Sequence, residues 1–212
     1  MRGDENVKLL VTGLSLAVIL LTLTGCRGLT KFPRPKPNLH KPHTEMFCRY
    51  NMRLQDGYYA NWYNWLALTE SIPIGTRLQV RDEAPKRWGL HDPETGKTYL
   101  LYTGSKDEAS VGRFLRPEPL ELPSLDTEVG QSIRNGIATI GMTKEQVYWS
   151  LGPPVWAGGG ATKKQTYLQI LSADHWMYYT KRGARVVEVY FDPKTGKADK
   201  GLDWRRDTPS HE

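Results

Sequence analysis

The chain has 212 residues, of which 39% are hydrophobic and 25% charged, an ordinary globular balance that excludes a wholly disordered chain and suits one medium domain or two small ones. Its formal net charge of +6 fits anionic neighbours such as lipid headgroups or peptidoglycan. The basic residues gather on no reading helix, which argues against a nucleic-acid partner, and two cysteines are too few for a disulfide-built scaffold.

In chain order, residues 9–23 form an apolar run shorter than the roughly 20 residues a spanning helix needs, placed at the N-terminus as a secretory signal peptide would be. It closes on Leu23-Thr24-Gly25-Cys26, which resembles the lipobox of bacterial lipoproteins. The resemblance implies cleavage before Cys26, lipid on its thiol and an acylated new N-terminus. Arg27, in place of the aspartate linked to inner-membrane retention, points by the same resemblance to the outer membrane, with the protein facing the periplasm. Several acyl chains anchor far more firmly than one. The alternative is an uncleaved N-terminal anchor.

Residues 26–45 carry Pro33, Pro35, Pro37 and Pro42 among basic residues and almost nothing apolar, so an extended tether is expected, reaching ~50 Å at roughly 3.1 Å per residue. His40 and His43 within it have no aligning helix and no carboxylate or thiol cluster beside them, and are read as solvated, with no metal site. With Cys26 committed to lipid, Cys48 is left alone and reads as a small buried position rather than a nucleophile.

Residues 46–116 read as a small all-β unit. Aromatic-rich stretches at 54–59 and 61–68 precede Ile72-Pro73-Ile74-Gly75-Thr76 and the alternating Arg77-Leu78-Gln79-Val80-Arg81, a cue similar to the start of bacterial SH3-like barrels. Asp92-Pro93-Glu94-Thr95-Gly96-Lys97 suits a tight reversal and recurs as Asp192-Pro193-Lys194-Thr195-Gly196-Lys197. Three prolines in residues 117–123 mark a linker, taken as 117–124.

Beyond the linker the period changes. Leu125, Val129 and Ile133 form one stripe of a helix that Gly136 ends. Thr143-Lys144-Glu145-Gln146 has the capping-box spacing, Met142 and Val147 can form the hydrophobic staple, and Gly152-Pro153-Pro154 stops the second helix. Strands are expected at 165–171, 175–180 and 185–192, with Trp176 and Tyr178 on one face. The order describes an α+β layer, two helices on a three-stranded antiparallel sheet, over residues 125–200, with a polar tail at 201–212.

Gly141, Met142, Thr143 and Val147, then Gly152-Pro153-Pro154, then Trp176 and Tyr178, resemble the SmpA/OmlA (BamE-like) domain family of envelope lipoproteins. The resemblance implies that fold and a non-catalytic scaffold role in outer-membrane β-barrel protein assembly or envelope maintenance, with the β-barrel assembly machinery as partner. Two other readings stand beside it: a peptidoglycan-binding lipoprotein, and a periplasmic enzyme inhibitor, since the family fold looks like that of β-lactamase inhibitor proteins.

No nucleophile elbow, His-Glu-x-x-His pair or phosphate loop is present, so no catalysis and no cofactor are expected; Gly158-Gly159-Gly160 lacks a lysine-threonine ending. What remains is binding. Seven Trp and eleven Tyr exceed what a small core requires, and both residue types favour interfaces. Trp62 and Trp65 cannot both face inward on one straight strand, while Tyr148 and Trp149 sit between helix core positions. These four are the candidate partner contacts.

Overall fold

The computed structural model describes residues 44–105, 108–180 and 186–200. The signal peptide, the lipobox with Cys26, most of the tether with His40 and His43, and the polar tail lie outside the described residues. Within them, Arg77-Leu78-Gln79-Val80-Arg81 opens a long strand, as its alternation requires. Leu78 and Val80 are buried and Arg77 and Gln79 lie to the other side.

That strand, β5 (Arg77–Ala84), is flanked by β1 (Thr44–Cys48) and β6 (Arg87–His91). With β3 (Tyr59–Ala60), β7 (Thr98–Tyr102) and β8 (Leu115–Arg116) they make a six-stranded sheet in the order β3-β7-β6-β5-β1-β8. The sheet is mixed, because β3 runs parallel to β7 while the other pairs are antiparallel. Between β6 and β7 the expected reversal is present: the Asp92 carboxylate accepts from the Glu94 and Thr95 amides and Gly96 takes φ 70°. A two-stranded ribbon, β2 (Met52–Arg53) with β4 (Ser71–Ile72), lies beside it.

After a 3₁₀ turn at Glu108–Arg113 and the 117–123 stretch come α1 (Glu128–Arg134) and α2 (Lys144–Leu151). The α2 capping box is complete: the Gln146 amide donates to Thr143 Oγ1 at 3.2 Å and the Thr143 amide to Gln146 Oε1 at 2.9 Å, over buried Met142 and Val147. Then follow β9 (Trp156–Ala157), β10 (Gly160–Ala161), α3 (Tyr167–Leu171), β11 (His175–Tyr179), β12 (Val186–Phe191) and β13 (Ala198–Lys200). Five of these form a second sheet, β10-β9-β11-β12-β13.

The expected architecture, a BamE-like pair of helices on three antiparallel strands after a small all-β unit, is therefore corrected. The described protein is mostly β, with a six-stranded mixed sheet, a five-stranded sheet and three short helices. Two local causes account for the difference in the second half. The segment 165–171, read as a strand, is helix α3, because Thr166 and Gln169 form a second reciprocal capping box. The hairpin of β9 and β10 around Gly158 and Gly159, at φ 58° and 84°, together with β13 after the Asp192 turn, adds the unforeseen strands.

One buried apolar cluster runs through both halves, from Cys48, Tyr50 and Met52 to Tyr148, Trp176 and Phe191. Tyr148 sits at its centre, edge-on to Tyr50 at 5.9 Å, Tyr167 at 5.0 Å and Trp176 at 6.1 Å. The segment between β2 and β4, which holds the aromatic-rich stretches at 54–59 and 61–68, is mostly irregular and is stitched into the second half. Asn64 Nδ2 donates to Leu151 O at 2.7 Å, the Leu66 amide to Tyr179 O at 3.1 Å and the Ala67 amide to Thr180 O at 2.7 Å. Buried Arg113 reaches the carbonyls of Thr103 and Thr162, both at 2.6 Å.

Candidate interaction surface

The anchoring of Leu66 and Ala67 on the end of β11 brings the preceding aromatic residues to its outer side. Tyr63 stands at the middle of a group there: its ring is 4.6 Å from that of Trp62, 5.8 Å from Trp65 and 6.0 Å from Tyr179. All four side chains are half-buried. Lys163 Nζ lies 6.0 Å from the centre of the Trp62 ring, at the outer limit of a cation–π contact. The indole N–H of Trp65 is buried with no hydrogen-bond partner among the described residues.

Tyr179 also belongs to the outer face of the five-stranded sheet. Alternation sends Trp176, Tyr178, Val187, Val189 and Phe191 inward. The register then leaves three cross-strand pairs facing out: His175 opposite Tyr190, Met177 opposite Glu188, and Tyr179 opposite Val186, with Trp156 opposite Met177 on the far side. Trp156, Val186 and Tyr190 keep 39%, 39% and 38% of their surface exposed, high for residues of this kind on a paired sheet.

The polar part of this face is one coupled group. The His175 and Tyr190 rings stack at 4.3 Å, His175 Nε2 lies 3.1 Å from Glu188 Oε2, and the Tyr190 hydroxyl donates to the same carboxylate oxygen. The Tyr190 hydrogen bond, with His175 second, holds the Glu188 carboxyl below its ordinary value, and the Tyr190 phenol is pushed up in turn. The arrangement presents broad, rigid ring surface with hydrogen-bonding tips, which buries area at little entropic cost.

Of the sequence-predicted contacts, Trp62 and Trp65 are thus brought together through Tyr63. Trp149 is half-buried and packs against the core elsewhere. Tyr148 is fully buried, its hydroxyl donating to Arg113 O at 2.8 Å, so as placed it presents no surface to a partner. The motif residues serve the interior. Met142 and Val147 form the staple and Thr143 the cap; Pro153 and Pro154 are buried. The Trp176 indole donates to Ile170 O at 3.0 Å and Tyr178 to Gly152 O at 3.1 Å. Gly141 takes φ 88° at the entry to α2, and Gly152 takes φ 77° with Tyr50 packed over it. A Cβ there would stand 2.5 Å from the ring.

Sequence reasoning missed Tyr63, Tyr179, Trp156 and the His175–Glu188–Tyr190 group. The period-two pattern of β11 and β12 carried the signal for the last, since placing Trp176 and Val189 inward sends His175, Glu188 and Tyr190 outward together. Among the described residues no three His, Cys, Asp or Glu side chains are placed to hold a metal ion, and no helix is long and apolar enough to cross a membrane. Comparison with family models, curated proteins and solved structures finds nothing that matches this chain.

Proposed function

We propose that this chain is an outer-membrane lipoprotein, held at Cys26 by lipid and facing the periplasm, that acts as a non-catalytic scaffold in outer-membrane protein assembly or envelope maintenance. The observation that carries the location is the Leu23-Thr24-Gly25-Cys26 junction behind a short apolar run. The scaffold part is supported by the Trp62–Tyr63–Trp65 group and the adjoining sheet face, which offer an aromatic surface for another protein. The reading takes its role from the motif resemblance around α2 and not from the BamE-like architecture, which the described residues do not form.

The test has two parts. Labelled palmitate is expected on the wild type and absent from Cys26→Ala; equal labelling of both removes the lipid anchor from the reading. Affinity purification from solubilised envelopes is expected to recover subunits of the β-barrel assembly machinery, with recovery reduced about tenfold by Tyr63→Ala at unchanged melting temperature. Salt-resistant cosedimentation with purified sacculi, without those subunits, would replace the scaffold by a peptidoglycan binder.

A further inference from the structure

A second site lies at the opposite end of β3. Asp56 and Gly57 both adopt left-handed backbone, φ 54° and 74°, and turn the chain so that the Gln55 amide meets Tyr59 O at 2.8 Å. Because β3 then runs parallel to β7, with the Leu100 amide on Tyr58 O at 2.8 Å, the Asp56–Gly57 turn comes alongside the Gly96–Lys97 turn that opens β7. An open cleft of about 450 Å³ lies there, lined by Asp56, Glu70, Lys97 and the buried Tyr58 and Tyr99.

The charged side chains of this cleft are exposed along its rim. Glu70 is tied by its carbonyl to the Leu54 amide at 2.8 Å, and its carboxylate rests against Gly57, where a Cβ would stand 2.6 Å from Glu70 Oε2. Both carboxylates therefore belong to the Asp56–Gly57 side. Lys97 lines the same space, and among the described residues it forms no ion pair with either of them, nor does any of the three with another side chain. Charges of opposite sign that share a cleft without closing on one another leave room for a bridging molecule that carries both signs.

We propose that this cleft binds a zwitterionic amino acid or short peptide, its ammonium at Asp56 and Glu70 and its carboxylate at Lys97. The site is separate from the aromatic surface and does not depend on the scaffold reading. Ligands with one charge blocked lose one wall.

The experiment is an amide-resonance titration of the folded protein with alanine, dialanine, N-acetyl-dialanine and dialaninamide at millimolar concentrations. Shifts at Gly57, Gly96 and Thr98 are expected with dialanine, or with alanine if the free amino acid suffices, and are expected to weaken about tenfold with either blocked peptide. Glu70→Gln and Lys97→Met, at exposed positions and with an unchanged far-ultraviolet spectrum, are expected to weaken the zwitterions to the same degree. No shifts with any zwitterion, equal shifts with the blocked peptides, or full affinity in both variants would overturn the assignment.

Discussion

Asn64 commits every hydrogen-bonding group of its side chain to the backbone. Its oxygen accepts from the Arg53 amide at 2.9 Å, and its nitrogen donates to Asn51 O at 3.0 Å and Leu151 O at 2.7 Å, all in the interior. Removing it strands one amide and two carbonyls away from water, each worth about 1–3 kcal/mol when unpaired. Asn64→Ala is therefore expected to lower the unfolding free energy by about 3 kcal/mol in urea titration. Asn64→Asp, almost identical in shape, is expected to be worse, because it points an acceptor at two carbonyls. A variant as stable as the wild type would show that water enters and satisfies these groups. Nothing in the sequence singles this residue out, since an asparagine between Tyr63 and Trp65 reads as surface.

At the scale of elements, α2 and α3 share one device: a threonine at the cap and a glutamine three residues on, bonded reciprocally. Thr143→Ala is expected to cost about 1 kcal/mol in chemical unfolding, and restoring the cap with serine to recover most of it. The capping box of α2 was legible because its signal is local, spelled by four consecutive residues and a stop at Gly152-Pro153-Pro154. Thr166 to Gln169 carried the same spelling, but the apolar Leu168, Ile170 and Leu171 around it read as strand, although in the fold Leu168 is 73% exposed and Ile170 is fully buried. The strands β11 and β12 followed from alternation, and the Asp92 and Asp192 reversals from their turn chemistry. The two-residue strands β3, β9 and β10 were not legible, because a pair of residues carries no period and its pairing is decided by distant chain. The same holds for the candidate surface: Trp62 and Trp65 were visible as aromatic excess, but their junction with Tyr179 depends on the Leu66 and Ala67 amides finding β11.

The whole molecule holds several acidic hydrogens in its interior. Burial pushes the Cys48 thiol from 9.0 up to about 12, and pushes the phenols of Tyr50, Tyr148 and Tyr178 well above their ordinary 10.0. These groups stay neutral when folded and ionise first in the unfolded chain. The stability they contribute is thus fully present below about pH 9 and is lost as pH rises toward the folded values. Melting temperatures are expected to fall steeply above about pH 10, and a flat profile there would mean that these groups reach solvent before unfolding. The stretch from Asn51 to Asn64, which includes β2, has a further consequence, for the order of events as the chain is made. Its bonds to Ile133 and Leu151 span 82 and 87 residues, and its continuation lies on Tyr179 and Thr180. The first half therefore emerges from the ribosome with its inner surface bare and cannot settle until the last strands arrive. So much non-local pairing places folding in the slow, roughly millisecond-to-second regime and leaves the newborn chain open to aggregation, the stage at which a chaperone has most to shield.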